Sequence, residues 1–230
     1  NLARYYRNKL EIKVVGVTGS TGKTSTKDLI AAALSDRYKV YKTKGNYNND
    51  IGMPLSILNI HDDIEVAVLE MGMNHAQEIH RLAEIARPDI GVITNIGITH
   101  IENLKTQENI FKAKMEIADF FENNNILIIN GDDEYLRKIE NKNYKVLKIG
   151  IDKKNHIIAR DIISLENGMK FTFEVNNQNK EIILPLLGVH SIYNCLLAIG
   201  VAIALNVTLE EIENGIENLE ATAMRLEIFK

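Results

Sequence analysis

The chain has 230 residues, 45% hydrophobic and 25% charged, which suffices for one sizeable core or two small ones and excludes a disordered chain. A net charge of -4 excludes the strongly basic footprint of a nucleic-acid-binding domain. No apolar run reaches the ~20 residues that span a bilayer and no leader-like pattern opens the chain, so a soluble, cytoplasmic, globular protein without membrane insertion is expected.

Leu2–Leu10 reads as a basic helix with nothing before it to pack against. Val14–Val17 is a short apolar strand, followed by a Gly/Ser/Thr loop and a helical pattern over Thr24–Ser35. Glu65–Glu70 reads as the next strand and Ala76–Ala86 as a helix, stopped at Arg87-Pro88. Ile90–Thr94 is a strand, Glu108–Phe121 a helix with its apolar residues mostly on one face, and Ile126–Ile129 a buried strand. After residue 150 the pattern changes. Ile157–Ile163, Lys170–Val175 and Glu181–Leu184 are strand candidates with turns and no helix between them. Two helices follow, His190–Leu205 and Leu209–Asn218, the second with Thr208 as its N-cap. The single cysteine, Cys195, falls in the first of these, which predicts a buried thiol and forbids a disulfide framework. Strands alternating with helices predict an α/β fold of the P-loop type, a mostly parallel sheet with helices on both faces plus a small antiparallel β patch.

The loop Thr18-Gly19-Ser20-Thr21-Gly22-Lys23-Thr24 lies between a strand and a helix, where a phosphate-binding loop belongs. Glycines let backbone amides turn toward phosphate oxygens, and the helix N-terminus adds partial positive charge. Lys23 can reach the β- and γ-phosphates, and the Thr24 hydroxyl can ligate Mg²⁺. A strict phosphate-loop pattern would carry glycine at position 17, where this chain has Val17. Glu70 ends an otherwise apolar strand, and ligands collect at the carboxyl ends of strands in such sheets. His100, six residues after Thr94, would alone read as a loop or core histidine, and Lys114 as a solvated helix charge.

Seven motifs in order give these residues company. They are Thr18–Thr24, Gly45-Asn46-Tyr47-Asn48-Asn49-Asp50-Ile51-Gly52-Met53-Pro54, Glu70-Met71-Gly72-Met73-Asn74-His75, Thr94-Asn95-Ile96-Gly97 with His100, Ala113-Lys114-Met115-Glu116-Ile117, Gly188-Val189-His190 with Asn194, and Met224-Arg225-Leu226-Glu227. Together they resemble the Mur ligases over nearly the whole chain, with the second and third motifs closest to the dipeptide-adding branch.

That resemblance implies a ligase that activates a carboxylate with ATP as an acyl phosphate, in the synthesis of a peptidoglycan precursor. It implies nucleotide contacts from Thr18, Gly19, Ser20, Thr21, Gly22, Lys23, Thr24 and Ser25, with Asn194 on adenine and Arg225 near the phosphates. It implies two Mg²⁺ ions, one held by Thr24 and Glu70, the other by His100 and by Lys114 carrying a CO₂-derived carbamate. Lys23, His100 and Lys114 form the implied catalytic set, while Asn46, Asn49, Thr94 and Asn95 would face the muramoyl-peptide substrate. The implied partners are a UDP-muramoyl-peptide and D-alanyl-D-alanine, with the protein a monomer. Residues 13–224 would be the central ATP-binding domain, 1–12 a linker helix from an N-terminal domain, and 225–230 the start of a connector to a C-terminal domain. Both ends thus read as cut from a longer protein. Ser191 stands where the family often has asparagine, and Met73 where it has a small residue. The amino-acid-adding, cyanophycin and folylpolyglutamate types stay open as rivals, as does a binding module that uses nucleotide only to change shape.

Overall fold

The computed structural model describes residues 2–140 and 142–219. One nine-stranded sheet organises them, in the order β2-β3-β1-β4-β5-β6-β7-β8-β9. The parallel part comprises β1 (Lys13–Thr18), β2 (Val40–Lys42), β3 (Val66–Glu70), β4 (Ile90–Ile93), β5 (Ile126–Asn130) and β6 (Lys145–Gly150). From β1 the chain moves outward to β2, returns to β3, and then continues on the other side with β4. The connectivity therefore switches sides at β1, and the crevice outside the carboxyl ends of β3, β1 and β4 is where such sheets take ligands.

Alternate strand residues feed two cores, as the two-residue period of a strand requires. Val15, Val17, Val66, Val68, Ile90, Val92 and Ile128 face one side. There they pack with α2 (Lys23–Leu34), α7 (Val189–Ala204) and α8 (Leu209–Glu217). Val14, Ala67, Leu69, Ile93, Leu127 and Ile129 face the other. That side is covered by α3 (Gly52–Leu58), α4 (Glu78–Ala86) and α6 (Gln107–Met115). Helix α7 is apolar nearly all round and lies inside the first core, Cys195 included, where burial pushes the thiol pKa up. Thr208 and Glu211 form a reciprocal capping box at the start of α8.

The three strands after residue 150 do pair antiparallel, β7 (Ile157–Leu165) with β8 (Gly168–Val175) and β8 with β9 (Gln178–Leu184). They extend the main sheet, because β7 enters parallel to β6. Sequence periodicity does not flag β6: in Lys145-Val146-Leu147-Lys148-Ile149 a lysine breaks each short apolar stretch. The expected helix Glu108–Phe121 ends at Met115 and tightens into a 3-10 turn over Glu116–Ala118. There Glu116 accepts hydrogen bonds from the Gln77 amide at 2.8 Å and the His80 amide at 3.1 Å, capping α4 from outside.

The amino-terminal helix α1 (Leu2–Arg7) packs against later parts of the chain, on α3 and α4. Arg7 is buried, donates to the Ala86 carbonyl at 2.8 Å and pairs with Asp89 at 3.5 Å. Tyr6 donates to the Ile60 carbonyl at 2.8 Å. No helix among the described residues is long and apolar enough to cross a membrane.

Candidate active site

The phosphate loop is shaped by two left-handed glycines and by its neighbours. Gly19 (φ 151°) and Gly22 (φ 78°) adopt backbone conformations that L side chains rarely take. A Cβ at Gly19 would lie 1.8 Å from Thr94 Oγ1, and one at Gly22 would lie 2.8 Å from Asn194 Oδ1. Helix α2 follows directly. The amides of its first turn, from Lys23, Thr24 and Ser25, have no intrahelical partner and open toward the crevice with the positive end of the helix dipole. Thr18 is fully buried at the end of β1, its carbonyl accepting from the Thr94 amide at 3.0 Å.

Thr24 touches Glu70, and Lys23 lies within its electrostatic reach. The Lys23 ammonium donates to the Gly19 carbonyl at 2.9 Å; burial lowers its pKa and Glu70 opposes that shift. Thr24 Oγ1 donates to Glu70 Oε2 at 3.0 Å. The Glu70 carboxylate is 3% exposed, so its charge requires partners. Two residues not singled out in the sequence, Asn48 and Lys27, supply them beside Thr24, and a third, Thr43, fixes the Glu70 backbone. Asn48 Nδ2 donates to Glu70 Oε1 at 2.9 Å, the Lys27 ammonium lies 3.7 Å from Oε2, and the Glu70 amide donates to Thr43 Oγ1 at 3.0 Å. Lys27 was findable as the residue one turn beyond Lys23 on the same helix face, and Asn48 lies inside the quoted Gly45–Pro54 motif. A cleft of about 1370 Å³ opens here, reaching from Thr24, Lys27 and Glu70 past Asn46 to His190 and Ser191. A smaller cleft of about 650 Å³ at the amino ends of the strands, between Glu11–Lys13 and Asp62–Glu65, contains none of these groups.

Lys114 lies in the last turn of α6 and is 1% exposed. Its pKa falls to about 7, first through loss of solvent and then through the positive charge of Lys23. No hydrogen bond or ion pair to its ammonium is found among the described residues. His100 opens α5 (Ile101–Leu104) at φ 66°. Burial, then Lys114, then Lys23 hold its pKa below the ordinary value, with Glu78 pulling the other way. The fold therefore brings Lys23, Lys114 and His100 into one electrostatic neighbourhood, although they come from three separate elements.

The other expected residues divide. Asn194 is 6% exposed, lies against Gly22, and its side chain has no hydrogen-bond partner among the described residues. Ser191 gives its hydroxyl proton to the Leu187 carbonyl at 2.8 Å. Asn49 accepts from the Ile51 amide at 3.1 Å and the Gly52 amide at 2.9 Å, so it shapes the start of α3. Thr94 and Asn95 direct their side chains at Thr21 of the phosphate loop. Arg225, its Met224–Glu227 motif and the expected connector 225–230 lie outside the described residues.

Residues 17–202 match the family model described as the Mur ligase middle domain. The chain is 39% identical, over 229 residues, to the UDP-N-acetylmuramoyl-tripeptide--D-alanyl-D-alanine ligase of Bacillus subtilis, covering 100% of this chain and 49% of that protein. Its fold matches the MurF crystal structure from Acinetobacter baumannii with a TM-score of 0.87 at 29% identity, over 94% of this chain and 48% of that one. It also matches the Thermotoga maritima MurF ligase solved in complex with ADP, with a TM-score of 0.84 at 32% identity, over 92% and 50% of the two chains. The chain thus spans about half the length of the relatives it matches.

Proposed function

We propose, since this chain belongs to the Mur ligase family, that it is the ATP-activating part of a ligase joining D-alanyl-D-alanine to a UDP-N-acetylmuramoyl-tripeptide. The observation that carries the reading is the convergence of Lys23, Thr24 and Glu70 where the sheet connectivity switches sides. A terminal carboxylate oxygen of the tripeptide attacks the γ-phosphorus, the bridging P–O bond to ADP breaks, and an acyl phosphate forms. The dipeptide amine then attacks the acyl carbon, loses a proton, and expels phosphate. Activation is needed because an ionised carboxylate is a poor electrophile.

In this scheme the first-turn amides of α2 and the Lys23 ammonium hold the phosphates of ATP and oppose the charge that builds during transfer. That the Thermotoga relative was solved in complex with ADP supports a nucleotide-binding reading. Thr24 and Glu70 offer a hydroxyl and a carboxylate, the hard oxygen donors Mg²⁺ takes, and would hold one ion. Bound there, Mg²⁺ would neutralise phosphate charge. The Lys114 amine, with a pKa about 7, is largely neutral at mild alkalinity and can add CO₂ to give a carbamate. That carbamate and His100 would hold a second Mg²⁺. Asn194, buried against the loop with its side chain unpartnered among the described residues, suits an adenine edge, and Asn46, which lines the cleft, would face the muramoyl peptide. Arg225 is assigned near the phosphates on its motif alone. Residues 13–224 form this domain in the scheme, with 1–12 and 225–230 leading to flanking domains in a monomer.

The test is ADP release by the complete gene product with and without the muramoyl tripeptide and D-alanyl-D-alanine. Amide product formed one-for-one with ADP is expected. Nucleotide binding without any coupled amide formation would leave only a nucleotide-responsive module.

A further inference from the structure

The phosphate loop is short of glycine. With Val17 in place of a leading glycine, only Gly19 and Gly22 supply left-handed backbone, and Ser20 and Thr21 between them are ordinary L-residues. Their backbone groups still need partners, because a polar group left unpaired in a packed loop is costly. The partners come from the segment after β4. The Ser20 amide donates to the Asn95 carbonyl at 3.0 Å, and Ser20 Oγ accepts from the Gly97 amide at 2.8 Å. The Thr21 amide donates to Asn95 Oδ1 at 3.1 Å. Asn95 Nδ2 donates to Thr21 Oγ1 at 2.9 Å and to the Thr21 carbonyl at 3.3 Å. Thr94 Oγ1 donates to that carbonyl at 2.6 Å while filling the space a Cβ on Gly19 would occupy. Every polar group of Thr21 is thereby engaged by two side chains from another strand end.

We propose that Asn95 and Thr94 are positioning residues for the phosphate loop, setting its curvature from outside in place of the missing leading glycine. This rests on the nucleotide reading of the loop. The amides of Ser20 and Thr21 are taken by Asn95, so the donors free for phosphate are those of the first turn of α2 and Lys23. Without Asn95 the Thr21 amide, carbonyl and hydroxyl lose this shared clamp. The loop then samples shapes in which Gly22 and Lys23 no longer line up. The resemblance instead puts both residues on the acyl-substrate side. The two roles differ in which ligand they affect: a loop clamp acts on anything bound through phosphates, a substrate contact on the muramoyl peptide.

The experiment is calorimetric titration of the complete gene product with Mg-ADP, with inorganic tripolyphosphate, and separately with the muramoyl tripeptide in the absence of nucleotide. For Asn95→Ala, affinity for both Mg-ADP and tripolyphosphate should fall about tenfold or more, the scale of one to two lost hydrogen bonds. Affinity for the tripeptide should stay within about twofold of wild type, a ratio worth under half a kcal/mol. Thr94→Val should weaken tripolyphosphate and Thr94→Ser, which keeps the hydroxyl, should restore it. That pair carries the test if Asn95→Ala does not fold. Unchanged tripolyphosphate affinity in folded Asn95→Ala or in Thr94→Val overturns the proposal. A selective loss of tripeptide affinity overturns it in favour of substrate contact. Wild type that binds neither Mg-ADP nor tripolyphosphate would refute the nucleotide reading itself, a separate result.

Discussion

The phosphate loop and the Lys114 pocket adjoin each other but are finished to different degrees. At the loop, Thr21 is fully engaged by Thr94 and Asn95 and the Glu70 carboxylate is held by Thr24, Asn48 and Lys27, while the buried Thr18 hydroxyl has no partner among the described residues. In the pocket, Lys114 is buried beside a second lysine, its ammonium without a partner among the described residues. The loop is thus built to receive phosphates as it stands. The pocket needs chemistry first, since a buried amine beside Lys23 is poorly suited to a cation until it carries negative charge.

The largest effect expected from this contrast belongs to Lys23→Ala. The loop is held by Gly19, Gly22 and Asn95, so circular dichroism and the unfolding midpoint should change little. ATP turnover by the complete gene product should fall about 10²–10³-fold, the cost of one preorganised charge contact. Turnover within tenfold of wild type in a folded variant would remove Lys23 from the chemistry.

Lys114→Ala comes next. Loss of a metal-holding group should cost about a hundredfold in ligation, through several kcal/mol of lost charge stabilisation. Depleting dissolved CO₂ should slow wild type, and bicarbonate should restore it, with no such response in Lys114→Ala. Full ligation by Lys114→Ala would return this residue to a plain buried lysine.

Smaller still is the expected change in metal dependence for Glu70→Gln and His100→Ala. Each should raise the Mg²⁺ concentration for half-maximal ligation by about tenfold, Glu70→Gln the more, because carboxylate oxygen suits Mg²⁺ better than imidazole. Equal midpoints in His100→Ala and wild type would displace the second ion from His100.

The same contrast governs what could be read from the sequence. The parallel sheet was legible because β1, β3, β4 and β5 are apolar runs broken by turn residues, and the loop because its glycines and lysine sit between strand and helix. Helix α3 was hidden behind the Asn-rich motif and Pro54, which the first turn of a helix tolerates. Lys114 read as a solvated charge and Lys27 drew no notice, because burial depends on packing from other elements: β2 and β3 around Lys27, α4 near Lys114. Only the family resemblance singled out Lys114. Nothing in the local sequence suggested that Asn95 would reach Thr21, a contact made by neighbouring strand ends 74 residues apart.

The smallest expected effect isolates the unfinished pocket from catalysis altogether. In metal-free protein and CO₂-depleted buffer, Lys114 titrates near 7 when folded against its ordinary 10.5 when unfolded. Between those values the unfolded chain binds more protons than the folded one, so the Lys114 contribution to stability rises with pH across that window. Below pH 7 both states are protonated and the full cost of burying the cation is present. Lys114→Met keeps the length and removes the charge, and replacing a buried, uncompensated charge by an apolar group is commonly stabilising. The variant should therefore be more stable than wild type at pH 6, by on the order of a few kcal/mol. The advantage should shrink at pH 8 and nearly vanish at pH 10. Urea unfolding midpoints at the three pH values measure this directly. A Lys114→Met advantage that does not change with pH would mean that the lysine is not held as a destabilised cation. A variant less stable than wild type at pH 6 would mean that Lys114 has a partner in solution, and the case for the carbamate would lose its physical basis.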